Sequence, residues 1–430
     1  MALALDPHQE EAVARLVVTA RGGLFDQPRV GKTAPAIVAA ESVGRRVLVL
    51  CPAVAVANWS EQIPLWTTRY NLIWEIESYD TYARNAERRE QLNVFAPDVV
   101  ILDEAHYLKN RMAQRTKAVY GERCKGDTPL LLGASYVWAL TGTPMPNHAG
   151  ELWTHFRALA GEGLSYMQWL DRYCITQPTN FGLRILGNRQ EALPELRAKV
   201  QAFARRLTYA SVHGADKAPL IWNVVPVGGG VVKPLVELEA HDAPTQKALK
   251  ALLEGRKPTA EEEIALAKWR RVVADAKVPL VVRYITDYLD ADPKAKVLVL
   301  GWHQEALRAI ADGLDDYGPA LIVGSTSRSN RELIRERFQL RSDKRVVVGN
   351  ILACGTAIDL SAATLVVFAE LVWSPGDNEQ AAMRSVNRAK AGAVPVDVLA
   401  LAGSSDAATL AVRTRKIRMQ EEVYSTGGES

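Results

Sequence analysis

The sequence predicts an α/β protein of two parallel-sheet lobes with helical insertions between them. Three observations carry that expectation. Short apolar runs alternate with stretches of helical periodicity. The alternation occurs twice, once in each half of the chain. The length of 430 residues suits two or three domains of roughly 150 residues each. In the first half the strand candidates are Gly22 to Asp26 (GGLFD), Arg46 to Cys51 (RVLVLC), Asn71 to Ser78 (NLIWEIES), Asp98 to Asp103 (DVVILD) and Tyr136 to Gly142 (YVWALTG). Each is apolar enough to be buried on both faces, as parallel strands are. From about Glu151 to Asp292 the chain reads mostly as helix: ELWTHFRALA, LPELRAKVQAFARRL and EEEIALAKWRRVVADA space apolar residues by three and four. Tyr209 to Leu220 (YASVHGADKAPL) is the candidate hinge. The second half supplies the strand candidates KVLVLGWH, ALIVGS, RVVVGN, ATLVVFAE and PVDVLALAG.

Composition narrows the class. Hydrophobic residues make up 48% and charged residues 23%, which excludes wholesale disorder. Lys and Arg number 52 against 49 Asp and Glu, a net charge of +3, so a histone-like polycation is excluded and any nucleic-acid contact comes from local patches. The four cysteines (Cys51, Cys124, Cys174, Cys354) form no CxxC pair, which argues against a zinc ribbon or disulfide scaffold and for a reducing cytosol. No apolar run reaches the ~18 residues of a membrane span. The segment MALALDPHQEEAV lacks the basic start and cleavage site of a signal peptide. A soluble cytoplasmic protein is the expectation.

Chemistry enters after the first strand, in DQPRVGKTAPAIVAA. Gly31, Lys32 and Thr33 open a helix and match the tail of a Walker A loop. In such a loop helix N-terminal N–H groups bind phosphate oxygens, Lys32 reaches the β- and γ-phosphates of ATP, and Thr33 ligates Mg2+. Asp26 stands where the first glycine of the pattern belongs, so the match is partial and a chance tripeptide is the rival reading. The strand DVVILD then runs into Asp103-Glu104-Ala105-His106. Mg-ATP hydrolysis requires such an acidic pair: Asp103 to hold the metal, Glu104 to take a proton from the attacking water. The alternative is a solvated pair capping a strand. His106 is read as coupling this site to the rest of its lobe.

With these residues in place the chain resembles a Swi/Snf-type DNA translocase of helicase superfamily two, in the minimal form of simple bacterial or viral members. DEAHYLKN and LTGTPMPNHAGELW (Leu140 to Trp153) resemble the family's second and third motifs, and DPHQEEAV its glutamine motif, with Gln9 as adenine reader. DQPRVGKT resembles the first motif, with Pro28-Arg29 where Met-Gly is usual. LVLCPAVAVANWSEQI resembles the next, which implies that Pro52, Asn58 and Trp59 stand near the tracked DNA strand; Thr141 joins them by the same likeness. KVLVLGWHQEAL, GSTSRSNRELIRERF, NILACGTAIDLSAATLVVFAELVWSPG and EQAAMRSVNRA follow in the family's order. There the resemblance places Gly355 and Thr356 at phosphate, Asp359 in coupling to ATP, Trp373 near DNA or in packing, Gln380 at the nucleotide, and Arg384 and Arg388 as stabilisers of the transferred phosphoryl group. The family's two arginines stand three apart and these stand four apart. A continuous helix here would still align Gln380, Arg384 and Arg388 along one face. Arg205-Arg206 matches the family's paired arginines, against a solvated helix end. AVRTRKIR (Ala411 to Arg418) is a basic face read as meeting water rather than phosphate.

The resemblance implies two RecA-like lobes, residues 1–215 and 216–430, with ATP between them. It also implies translocation along double-stranded DNA without strand separation, with ATP and Mg2+ as cofactors. A separate nuclease or a replication or repair protein is a further candidate partner, and a monomer is expected. Two rivals stand beside this reading: a strand-separating DNA or RNA helicase, and a catalytically silent DNA-binding scaffold. The scaffold would lack Lys32, Glu104 or the second-lobe arginines, and all are present.

Overall fold

A computed structural model describes residues 4–69, 71–179, 182–214, 220–228, 233–254, 256, 258–355, 358–386 and 392–424. The chain divides into two compact units: Met1–Gly214 with Arg418–Ser430, and Ala215–Ile417. Each is built on one six-stranded, wholly parallel sheet.

In the first unit the strands are β1 (Arg21–Leu24), β2 (Arg46–Cys51), β3 (Ile73–Ser78), β4 (Val99–Asp103) and β5 (Tyr136–Leu140), then a hairpin of β6 (Cys174–Thr179) and β7 (Gly182–Asn188), then β8 (Ala204–Arg205). The sheet order is β3-β2-β4-β5-β1-β8. The central strands are apolar throughout because both their faces are covered. Leu48, Leu50, Val100 and Leu102 face one core, while Val47, Val49, Val99 and Ile101 face the other. This is the period-two alternation of a strand with no solvent side.

The second unit carries β9 (Leu220–Val227), β10 (Val297–Gly301), β11 (Ala320–Ile322), β12 (Val346–Asn350), β13 (Leu365–Phe368) and β14 (Val394–Leu401), in the order β11-β12-β10-β13-β14-β9. Its longest helix, Ala260–Ala291, starts at a capping box in which the Thr259 hydroxyl takes the Glu262 N–H and the Glu262 carboxylate takes the Thr259 N–H. Lys277 of this helix is 1% exposed; its ammonium donates to the carbonyls of Ala369 and Leu399 and to Asp406.

Ten strands fall where the apolar runs place them. The hairpin β6–β7, β8 and β9 do not, since the stretch from Glu151 to Asp292 reads as helix. Two of these four strands pair only with each other, and β8 and β9 are sheet edges, so none carries a run buried on both faces. The expected hinge is partly a short helix, Tyr209–His213, capped by the Thr208 hydroxyl accepting from the Ser211 N–H at 3.0 Å; residues 215–219 lie outside the described residues.

The C-terminal helix Ser405–Tyr424 also departs from expectation, because its last residues belong to the first unit. Val423 is 1% exposed in that unit's core, and Asn188 Nδ2 donates to the Met419 carbonyl at 2.8 Å. Earlier in the helix, the basic face read as solvated is engaged with its own unit. Arg413 stacks on the Trp222 ring at 4.1 Å, Arg415 donates to the Leu253 carbonyl at 2.6 Å and Lys416 to the Trp373 carbonyl at 2.9 Å.

Candidate active site

Chemistry-bearing loops follow β1, β4 and β5, at the C-terminal ends of parallel strands where open α/β sheets bind ligands. After β1 the chain turns through residues 25–32 into the helix Thr33–Val43. The turn needs left-handed backbone at Arg29 (φ 66°) and Gly31 (φ 90°). Lys32 Nζ donates to the carbonyls of Asp26 at 2.7 Å and Gln27 at 3.2 Å, so the ammonium lies over the loop. Burial pushes its pKa down, and the carboxylates of Glu104, Asp26 and Asp103 work against that shift. Gln9 is buried. Its Nε2 donates to the Gly31 carbonyl at 3.0 Å while its Oε1 accepts the Asp6 N–H at 3.0 Å. The glutamine thus holds the end of the phosphate loop through the first turn of the helix Pro7–Val18.

β4 delivers Asp103 and Glu104. Burial and the neighbouring Glu104 carboxylate push the Asp103 carboxyl above its ordinary range; the Trp59 indole and Lys32 oppose that. Trp59 Nε1 donates to Asp103 Oδ2 at 2.8 Å, and the Tyr79 hydroxyl donates to the Asp103 carbonyl at 2.8 Å. Glu104 takes left-handed backbone (φ 48°). His106 Nδ1 lies 3.2 Å from Glu104 Oε2, 3.0 Å from Thr141 Oγ1 and 3.4 Å from Thr143 Oγ1. The histidine therefore joins the acidic pair to the loop after β5, as its place in the sequence suggested. That loop abuts the phosphate loop: a Cβ on Gly142 would stand 2.8 Å from Pro28 Cδ.

Several of the residues expected near DNA are turned into the first unit. Trp59 and Thr141 are 0% exposed and their polar atoms face Asp103 and His106. Pro52 is also buried, and Asn58 is half-buried. The motif identifies the loop but not the direction in which each side chain leaves it.

In the second unit Gly355 is buried, and its carbonyl accepts from the Arg384 guanidinium. A Cβ on Gly355 would stand 3.7 Å from Gln380 Oε1. Gln380 and Arg384 thus meet one backbone position. The helix Pro375–Ala382, which carries Gln380, gives way to a 3-10 turn, Met383–Ser385, and then to extended backbone at Val386. The continuous helix expected after Gln380 thus does not extend through residues 383–386. Arg388 and Thr356 lie outside the described residues. Trp373 is half-buried under the Arg270 guanidinium at 5.1 Å. Asn378, which the sequence reading passed over, is 0% exposed and fixes the Trp-Ser-Pro-Gly turn: it accepts the Val372 N–H and donates to the Val372 and Ser374 carbonyls.

Residues 75–217 match the SNF2-related domain, and residues 277–389 match the helicase conserved C-terminal domain. Over 423 residues the chain is 28% identical to a SWI/SNF-related matrix-associated actin-dependent regulator of chromatin subfamily A-like protein 1 from Xenopus tropicalis, covering 94% of this chain and 43% of the relative. These matches make the chain similar to Swi/Snf-type, helicase-like proteins of superfamily two. Another relative is the mouse DNA annealing helicase and endonuclease ZRANB3, 27% identical over 422 residues, 92% of this chain and 38% of the relative. A solved SWI2/SNF2 ATPase core from Sulfolobus solfataricus, in complex with double-stranded DNA, is 19% identical and covers 95% of this chain and 90% of its own, at a TM-score of 0.44. The chain spans about two fifths of the length of these curated relatives. The SNF2-related match starts at residue 75, beyond the phosphate loop in which Pro28 and Arg29 depart from the family pattern.

Proposed function

We propose that the protein moves along double-stranded DNA at the expense of ATP without separating the strands. The observation that carries the chemical half is the convergence, within the first unit, of Lys32, Asp103 and Glu104, with His106 bridging Glu104 to Thr141. Lys32 leaves its loop carbonyls for phosphate, and Glu104 accepts a proton from water. His106 carries the state of Glu104 into the loop after β5. Thr33 and Asp103 would hold Mg2+. The donor set fits that ion, which binds through one or two carboxylates together with phosphates and water. Among the described residues no cluster of three or more His, Cys, Asp or Glu side chains could hold a metal by itself. When bound, Mg2+ supplies charge neutralisation at the phosphates.

Double-stranded DNA as the track is supported by the Swi/Snf-type motif flanks and by the relative named a DNA annealing helicase, an activity opposite to strand opening. Backbone contacts carry no base information, so activity should be independent of sequence and weakened by salt. The deciding experiment compares ATP turnover with duplex DNA, single-stranded DNA and RNA, beside displacement of a triplex-forming strand and opening of a forked duplex. Duplex stimulation with triplex displacement and an intact fork is expected; efficient opening of the fork would replace this reading with a strand-separating helicase. Lys32→Ala and Glu104→Gln should each remove nearly all turnover, with ATP binding kept in Glu104→Gln. Near-normal hydrolysis by either would end the assignment.

A further inference from the structure

Asp26 occupies the place of the loop's missing first glycine and is 1% exposed. A buried carboxylate is costly unless paired, and its partner comes from outside the loop: Arg205, whose guanidinium meets Asp26 Oδ2 at 2.5 Å. Asp26 Oδ1 accepts the Leu207 N–H at 2.8 Å. The neighbouring Gln27 is held in the same way. Its N–H donates to the Leu207 carbonyl at 2.9 Å, and its side-chain oxygen accepts the Tyr209 N–H at 2.9 Å. On the loop's other flank the Phe25 N–H donates to the Arg205 carbonyl at 2.7 Å, and Arg206 donates to the Phe25 carbonyl at 2.7 Å. Arg205 also donates to the His8 carbonyl, in the helical turn whose Gln9 takes Gly31.

The carbonyls of Asp26 and Gln27 are the two that hold Lys32. When Lys32 turns to a phosphate it gives them up, and the loop then keeps its shape only through its remaining ties. Most of those run to residues 205–209.

We propose that the Asp26–Arg205 pair is a positioning device for nucleotide binding, through which the segment 204–209 is energetically linked to occupancy of the phosphate loop. The inference rests on the nucleotide site proposed above. Linkage is reciprocal: what steadies the segment favours the nucleotide, and nucleotide steadies the segment.

The test uses the full chain with ADP as the binding probe and ATP for turnover, in wild type, Asp26→Asn, Arg205→Gln, their double variant and Arg205→Lys. Each single neutralising change should weaken ADP binding and raise KM for ATP about ten-fold, with the change falling on KM rather than kcat. The double variant should be no worse than the worse single one, and Arg205→Lys should recover part of the loss. In wild type, ADP should slow amide hydrogen exchange at Leu207 and Tyr209, and this slowing should vanish in Asp26→Asn. Additive losses, a change confined to kcat, or exchange at Leu207 and Tyr209 indifferent to ADP would overturn the proposal. The exchange measurement on wild type decides the matter even where a variant does not fold. Lys32→Ala separates the two readings. If it keeps turnover, the nucleotide site itself is wrong; if it loses ADP binding while wild-type exchange ignores ADP, only the linkage is wrong.

Discussion

The indole N–H of Trp59 points at one carboxylate oxygen of Asp103, 2.8 Å away, and so fixes how the other oxygen is presented. Charge-assisted hydrogen bonds of this kind are worth about twice a neutral one. Trp59→Phe keeps most of the ring but removes the donor. It should depress ATP turnover at saturating DNA and raise the Mg2+ concentration needed, with no loss of DNA affinity; a fall in DNA affinity alone would return Trp59 to a DNA role. His155 is a second case of one buried side chain setting a property. It is 0% exposed, meets the Tyr120 hydroxyl at 2.9 Å, and burial drives its pKa from 6.5 down to about 3. Folded His155 stays neutral where the unfolded chain binds a proton. Its contribution is therefore complete above pH 6.5 and is lost as pH falls from 6.5 toward about 3, by about 1.4 kcal/mol per pH unit. Denaturant titrations of the first unit across that window should flatten in His155→Phe relative to wild type.

Among the elements, the helix Ala86–Phe95 ends on Ala96 in left-handed backbone (φ 46°), a C-cap position that favours glycine. Ala96 is exposed. Ala96→Gly removes a strain of about 1 kcal/mol at the cost of little else, and the first unit should melt about 2–4 °C higher. The elements also show what can be read from one chain. Lys32, Asp103 and Glu104 were legible because a motif at the end of an all-apolar strand fixes both topology and direction. The hairpin β6–β7, β8 and β9 were not, since an edge or paired ribbon needs no run buried on both faces. The break in the helix after Gln380 was not legible, since spacing alone does not reveal the 3-10 turn Met383–Ser385; Arg388 lies outside the described residues. Trp59 and Thr141 were placed in the right loops, but only packing decides which side chains turn inward. The role of Asp26 was hidden because its partner lies 179 residues away.

For the molecule as a whole, Arg418 and the residues after it belong with the first unit although the chain has passed through the second. Val423 fills part of that unit's core, while Arg197 donates to the Glu422 carbonyl and Gln420 to the Pro146 carbonyl. A chain stopped after Ile417 leaves a cavity where Val423 stood and takes away the acceptors of the Asn188 and Arg197 side chains. Loss of a buried aliphatic group alone costs about 1 kcal/mol or more. Calorimetry should show the first-unit transition shifted several degrees lower than in the full chain, and the second-unit transition little altered.

That return has a consequence for synthesis. A ribosome makes residues 1–214 first, yet the core they form is finished only by Val423, more than two hundred residues later. The earlier unit must wait with a gap in its apolar interior, while the later one, Ala215–Ile417, is contiguous and can close as soon as it emerges. Order of completion therefore runs against order of manufacture: the part made first is sealed last. Translation stalled between residues 215 and 417 should leave a nascent chain whose first unit is cut by protease more readily than in the finished protein.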